Sequence, residues 1–141
     1  MCIRDRIRYV FPISTSFNGT GCQQDSYKTP IGLHTVVSKI GAGLLPGTLF
    51  KNRRPTKIIV KPLPQDKYDY ITSRIIRLSG LEDDINKGGN VDTYNRYIYI
   101  HGTPHIHKLG EPESHGCIRL SDDNVITLFN SIKYKTLVLI D

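Results

Sequence analysis

Short apolar runs separated by Gly, Pro, Asn and Asp recur along the 141-residue chain. Runs of this kind, bounded by turn-forming residues, are typical of β-strands. They predict strands over residues 9–15, 32–38, 57–61, 74–78, 97–101, 117–120 and 136–140. The pattern therefore favours a mainly β domain.

One stretch near the C-terminus changes to helical spacing. Its apolar residues recur three and four positions apart: Val125, Ile126, Leu128, Phe129 and Ile132. Ser121 is a good N-terminal cap for this stretch. Asp122 and Asp123 would then lie in the first turn, where the helix dipole favours negative charge. The sequence predicts one amphipathic helix that covers a sheet.

The segment of residues 97–101 alternates strictly between two kinds of side chain. In a strand, Tyr97, Tyr99 and His101 would share one face. Ile98 and Ile100 would lie on the other face, which we expect to be the core. His101 is then expected on the more accessible face, at the end of its strand.

The formal net charge is +6, and part of it is concentrated in one basic segment: Lys51, Arg53, Arg54, Lys57 and Lys61. Such a segment is most simply a solvated face, although it is compatible with attraction to an anionic polymer of the cell envelope. No aromatic-basic alternation or nucleic-acid motif accompanies it, so no nucleic-acid partner is predicted.

The domain organisation is simple, because no repeat, linker or low-complexity tract divides the chain. We expect a single domain over residues 9–141, with residues 1–8 outside it or marking a truncated N-terminus. The apolar stretch of residues 7–13 is interrupted by Arg8 and Pro12 and predicts no export signal. No segment predicts a transmembrane span.

The three cysteines, Cys2, Cys22 and Cys117, form no C-x-x-C pair. Their spacing suggests neither a disulfide framework nor a four-cysteine zinc site. Cys117 lies in the segment SHGCIRL of residues 114–120, and four of the five histidines precede it within a short span. This clustering indicates a catalytic or metal-binding site.

One interpretation makes Cys117 a nucleophile. A free thiol has a pKa of about 8.5 and is mostly protonated near neutral pH, so a catalytic cysteine needs a nearby imidazole. His101 and His115 are the candidates, and His115 would share a face with Cys117 in an extended strand.

The residues around this thiol suggest supporting roles. Gly116 would let backbone or substrate approach closely. The N–H groups of Gly116 and Cys117 are candidate donors to a developing oxyanion. Arg119 could hold a substrate carboxylate through its planar fork.

Two other interpretations of the cluster stay open. Its ligand types also fit a zinc-dependent hydrolase, with a site drawn from His101, His105, His107, His115 and Cys117. No second cysteine or ligating carboxylate stands at a recognisable spacing, however. In the remaining interpretation Cys117 is a small buried apolar residue among surface histidines.

Several segments, in order, resemble the signature of the L,D-transpeptidase catalytic domain of bacterial cell-wall enzymes. These are HGT at residues 101–103, LG at residues 109–110 and SHGCIRL at residues 114–120. The segment TPIG at residues 29–32 is similar to the Thr-Pro-x-Gly element of that family. The resemblance covers nearly all of the chain from about Tyr9 onward.

The resemblance implies a role for each matching residue. Cys117 corresponds to the nucleophile and His101 to the general acid/base, with the Gly102 carbonyl orienting the imidazole. The rest of the signature would support the thiol through Ser114, His115, Gly116 and Arg119. Cys22, His105 and His107 have no place in the signature.

The resemblance also implies a fold and a reaction. The fold would be a mainly β sandwich or barrel with one short helix after the catalytic cysteine. Cys117 would attack a peptidoglycan stem tetrapeptide, and the acyl group would pass to an amine of another stem or of an envelope protein, or to water. No cofactor is implied, and the location would be the periplasm or cell envelope. A wall-binding module that has the fold without turnover is the non-enzymatic alternative.

Overall fold

Seven strands and one α-helix make up the part of the chain that the computed structural model describes, residues 6–62 and 66–141. The strands are β1 (Gly32–Ile40), β2 (Thr48–Lys51), β3 (Arg54–Ile59), β4 (Thr72–Gly80), β5 (Tyr99–Thr103), β6 (Ile118–Ser121) and β7 (Leu137–Ile140). The helix α1 is Asp122–Ser131, and two short 3₁₀ helices cover Gly89–Val91 and Ile106–Lys108. The predicted mainly β fold with one short helix after Cys117 is confirmed.

The strands form one sheet in which β4 is central. It pairs antiparallel with β1 and β5 and, at Thr72, with β2. The order β3-β2-β4-β1-β7 forms the main path, and β5 branches from β4. β6 pairs with β5 in parallel. His101 lies on β5, and β6 begins directly after Cys117.

Apolar side chains cover both faces of β5 and β6. One cluster contains Ile98, Ile100 and the α1 residues Val125 and Phe129. The other contains Tyr99 with Phe50 and Ile75, and Cys117 packs against it. The alternation along β5 therefore separates two buried faces.

His101 is consequently buried, with only 1% of its surface exposed. Its expected place on an accessible face is wrong. The reason is that the second face of β5 is also covered, by residues distant in sequence such as Phe50, which packs with Tyr99.

The predicted elements are mostly present, with shifted ends. Ser121 caps α1, because its Oγ accepts the Asn124 N–H at 3.2 Å. The strand predicted over residues 9–15 is absent as such, and that segment contributes only an isolated bridge at Ser14. β2 was not predicted, and β5 begins after Tyr97, whose φ is +58°.

No helix in the described residues is long and apolar enough to span a membrane.

Candidate active site

The parallel pair of strands brings His101 and Cys117 to the same face of the sheet. The register aligns Ile100 with Ile118 and His101 with Arg119, so Tyr99 lies opposite Cys117. Since alternate residues share a face, His101 lies diagonally across from Cys117.

The imidazole of His101 is held by the next residue along the chain. Its Nδ1 lies 2.7 Å from the Gly102 carbonyl oxygen. A carbonyl can only accept, so Nδ1 carries the hydrogen. Burial lowers the pKa of His101, while the nearby Asp69 carboxylate and the Gly102 hydrogen bond act in the opposite direction. The ring is therefore neutral at pH 7, with a lone pair on Nε2.

The thiol of Cys117 is neutral as well. Its Sγ accepts the Tyr99 N–H at 3.3 Å and donates its hydrogen to the Tyr97 carbonyl oxygen, with 3.6 Å between sulfur and oxygen. Burial raises the pKa of Cys117 to about 12, although the Tyr99 N–H favours the thiolate. In the resting site the sulfur is thus protonated, and a base must remove its proton for attack.

Ser114 fixes the loop before the thiol. Its buried hydroxyl donates to the Cys117 carbonyl at 2.6 Å and accepts the Gly116 N–H at 3.2 Å. Gly116 has a φ of +124°, and a Cβ there would lie 3.2 Å from both Ile98 Cδ1 and the Lys28 carbonyl. A side chain at this position would be strained and crowded.

The Gly116 N–H is therefore already engaged by Ser114, and the oxyanion role expected for it stays a prediction. The Cys117 N–H is the other candidate of that pair. The Gly116 carbonyl is also held, because it accepts from Thr29 Oγ1 at 3.0 Å. Thr29 begins the TPIG element, so the structure places this element directly behind the thiol loop.

Arg96 holds the segment that leads into the TPIG element, from outside the recognised segments. Its guanidinium donates to the Lys28 carbonyl at 2.6 Å and to the Gly21 carbonyl at 3.2 Å. Desolvation lowers its pKa, and both Cys22 and Cys117 are close enough to act on it electrostatically. Nothing in the local sequence of Arg96 signals this role.

His115 contacts groups other than the thiol. Its side chain is 59% exposed, and its Nδ1 lies 3.5 Å from Asp69 Oδ2. Its ring meets the rings of Phe17 and Tyr27 edge-on, at 5.8 and 6.0 Å between centroids. Of the two candidate bases, the structure therefore favours His101.

Arg119 does not present a free fork to a substrate. It is 3% exposed, its Nη1 donates to Asp69 Oδ1 at 3.1 Å, and its Nη2 donates to Ser14 Oγ at 2.9 Å. Both terminal nitrogens already have partners, and the expected role in binding a substrate carboxylate stays a prediction. Arg119 instead ties β6 to the segment before β4.

The remaining histidines lie apart from the thiol. His105 is 4% exposed, and its Nε2 lies 2.9 Å from the Tyr68 carbonyl. His107 contacts it ring to ring at 6.0 Å. No three His, Cys, Asp or Glu side chains within residues 6–62 and 66–141 could hold a metal ion together. The five residues considered for zinc do not form that site.

Cys22 contacts a loop backbone and not the other thiol. Its Sγ lies 3.4 Å from the Ile31 nitrogen and 3.8 Å from the Ile31 oxygen. Cys2 lies outside the described residues.

Open space adjoins the candidate site on both sides of Asp69. One polar pocket of about 360 Å³ is lined by His115, Arg119 and neighbouring charged residues. A second pocket of about 360 Å³ is lined by Phe50 and Ile71, which pack in the same cluster as Cys117. An apolar pocket of about 390 Å³ lies on the opposite face of β5 and β6 and does not adjoin the thiol.

The family model of the L,D-transpeptidase catalytic domain (YkuD) matches residues 1–140. The chain belongs to the L,D-transpeptidase family. The boundary at residue 9 stays a prediction, and residues 1–5 lie outside the described part of the chain. No curated protein sequence matches this L,D-transpeptidase domain.

Solved L,D-transpeptidases have the same fold. The domain is 21% identical to an L,D-transpeptidase from Mycobacterium smegmatis, with a TM-score of 0.56 over 97% of this chain and 50% of that one. It is 21% identical to LdtMt1 in complex with imipenem, with a TM-score of 0.55 over 95% of this chain and 49% of that one. It is 22% identical to L,D-transpeptidase 3 from Mycobacterium tuberculosis in complex with a faropenem-derived adduct, with a TM-score of 0.53 over 97% of this chain and 48% of that one. The chain thus spans about half the length of these structures.

Proposed function

We propose that this domain is a cysteine acyl transferase that acts on peptidoglycan stem peptides in the cell envelope. One observation carries the proposal: a neutral imidazole at His101 and a thiol at Cys117 share one face of the parallel pair β5–β6. Membership of the L,D-transpeptidase family supports this reaction.

The first step acylates Cys117. The sulfur attacks the carbonyl carbon after the L-centre of the diamino acid in the stem tetrapeptide, and its proton passes to Nε2 of His101. The C–N bond to the terminal D-alanine then breaks, and the imidazolium returns the proton to the leaving amine. A thioester and free D-alanine are formed, and His101 is neutral again.

The second step transfers the acyl group to an acceptor. An amine attacks the thioester, gives a proton to His101 and displaces the Cys117 sulfur, which recovers that proton. An amine on another stem peptide would yield a cross-link, one on an envelope protein would yield an attachment, and water would yield hydrolysis. Both steps use one base and one nucleophile, so we propose no metal or organic cofactor.

The raised pKa of the thiol requires that proton transfer accompany attack. A thiolate and an imidazolium formed together attract each other strongly where water is excluded. The Tyr99 N–H supports the developing thiolate, and the Asp69 carboxylate supports the imidazolium. The two neutral groups are therefore arranged to become an ion pair during the reaction.

The tetrahedral intermediate also needs donors to its oxyanion. The Cys117 N–H is our candidate, because Ser114 occupies the Gly116 N–H. The rigid loop held by Ser114 and Thr29 would keep this donor in a fixed direction.

Two structural relatives are described with β-lactams: LdtMt1 with imipenem and L,D-transpeptidase 3 with a faropenem-derived adduct. A β-lactam presents a strained amide carbonyl of the kind that a nucleophilic thiol attacks. We propose that Cys117 reacts with this drug class.

Single-turnover acylation by a synthetic stem tetrapeptide tests the proposal. We expect Cys117→Ala to abolish the acyl-enzyme and His101→Ala to slow its formation about 100-fold or more, as for loss of a general base. His105→Ala and His107→Ala are the matched controls and should have much smaller effects. Equal losses at all three histidines would contradict the assignment of the base. A parent protein that binds muropeptides but never forms an acyl-enzyme would favour the wall-binding module.

A further inference from the structure

Two arginines contact the ring of Tyr97 at the edge of the site. The Cζ of Arg53 lies 4.8 Å from the centroid of that ring, and the Cζ of Arg77 lies 4.9 Å from it. Each guanidinium has further contacts. Arg53 Nη1 donates to Tyr99 Oη at 3.2 Å. Arg77 Nη2 donates to the Tyr94 carbonyl at 3.0 Å, and its Cζ lies 3.7 Å from the centroid of the Tyr94 ring. We call this group of Arg53, Tyr97 and Arg77 the arginine–tyrosine clamp.

The clamp concentrates positive charge that no carboxylate of the described residues neutralises. Both arginines are half-buried, and neither takes part in any of the ion pairs found within residues 6–62 and 66–141. The Arg77 Nε is buried and has no hydrogen-bond partner there. Two like charges on one ring repel each other, so an anion bound in contact with both guanidinium groups would relieve the repulsion. Guanidinium groups match carboxylates through paired N–H donors.

The clamp adjoins the thiol through the backbone. The Tyr97 carbonyl oxygen lies 3.6 Å from the Cys117 sulfur. Arg77 on β4 pairs in register with Tyr99 on β5, and the Tyr99 N–H in turn reaches the same sulfur at 3.3 Å. Arg77, Tyr99 and Cys117 thus occupy neighbouring positions on adjacent segments of the sheet, and Tyr99 links the arginine to the nucleophile.

Tyr97 adopts a backbone conformation that bulky residues rarely tolerate. Its φ of +58° lies in the left-handed region, and its side chain remains 52% exposed. Such outliers are concentrated at ligand-binding sites, where surrounding contacts hold them in place. Here the carbonyl of the outlier faces the thiol while its ring contacts both guanidinium groups.

We propose that the arginine–tyrosine clamp binds a free carboxylate of the acyl-donor peptide and thereby positions its scissile carbonyl at Cys117. This inference rests on the proposed function, because it takes a stem peptide as the ligand. The clamp performs the recognition that the sequence suggested for Arg119, whose own fork is occupied.

Binding to the Cys117→Ala protein tests the clamp without turnover. Calorimetry would compare a stem tetrapeptide with the same peptide amidated at its C-terminus, and with one amidated at its side-chain carboxyl groups. We expect Arg53→Gln and Arg77→Gln each to weaken binding of the free peptide by about tenfold, as for loss of a charge-assisted hydrogen bond. Amidation of the carboxylate that the clamp binds should cause a similar loss, and the arginine variants should then add little to it.

Arg54→Gln is the matched control, because it removes one charge from the same hairpin at an exposed position. It should leave binding unchanged. Arg53→Lys and Arg77→Lys keep the charge without the fork, so they carry the test if a glutamine variant fails to fold. Equal losses for free and fully amidated peptides, unchanged binding in the arginine variants, or no binding by the parent would each overturn the clamp.

The outcomes also separate the clamp from the proposed reaction. If the Cys117→Ala protein binds the free peptide more tightly than the amidated one, but the native chain forms no acyl-enzyme, the clamp would be supported and the reaction refuted. Formation of an acyl-enzyme, together with donor binding that the arginine variants leave unchanged, would support the reaction and refute the clamp.

Discussion

Arg119 donates to Asp69 across 3.1 Å, and this contact joins the strand after the thiol to the segment before β4. The guanidinium is almost fully buried, whereas the Asp69 side chain is 26% exposed. Asp69 also lies 3.5 Å from the His115 imidazole and acts on the charge of His101. One carboxylate therefore organises the surroundings of the candidate base.

Asp69→Asn should destabilise the domain. The substitution leaves the Arg119 guanidinium buried without its counter-charge, which costs about 1–3 kcal/mol for a partner that is partly exposed. Urea unfolding measures the effect, and the exposed Glu111→Gln controls for loss of one negative charge. An unchanged free energy of unfolding would show that the contact contributes nothing to stability.

The reactivity of the resting thiol should increase with pH well beyond neutrality. Because burial raises the pKa of Cys117 to about 12, the thiolate fraction should grow about tenfold per pH unit between pH 7 and pH 10. Iodoacetamide labelling in the absence of substrate, followed by peptide mapping, measures the rate at Cys117. A rate that levels off below pH 9 would contradict a neutral resting thiol.

His101 should make the folded state less stable as the pH falls. Burial lowers its pKa in the folded protein, whereas the unfolded chain has the ordinary value of about 6.5. Between these two values the unfolded state binds the extra proton, so the free energy of unfolding decreases as the pH drops below about 6.5. Above that pH neither state gains a proton and the effect vanishes.

The comparison of the parent with His101→Gln isolates this contribution. His34 also has a pKa lowered by burial, but it is present in both proteins and cancels in the difference. The variant should lose less stability than the parent between pH 6.5 and pH 5. Parallel curves for the two proteins would indicate that the pKa of His101 is not lowered.

Local features of the sequence predicted local structure well. Ser121 and the apolar spacing after it specify α1 through contacts within a few residues. The order HGT and then SHGCIRL predicted that His101 and Cys117 belong to one site, and the parallel pair β5–β6 places them on one face.

Contacts between distant residues could not be predicted in the same way. The burial of His101 depends on β4 and β6, and the occupied fork of Arg119 depends on Asp69 and Ser14, which are 50 and 105 positions away. Arg96 and Arg53 reach the site from segments without a recognisable motif. The left-handed backbone of Tyr97 could not be predicted either, since tyrosine in an alternating run predicts a strand.

Covalent trapping tests the central claim most directly. Intact-protein mass spectrometry after incubation with imipenem should show one adduct per chain, and peptide mapping should place it at Cys117. The adduct should be absent in Cys117→Ala, unchanged in Cys22→Ala and much slower to form in His101→Ala. A folded parent protein that forms no adduct, or one labelled at Cys22 instead, would contradict the assignment of Cys117 as the nucleophile.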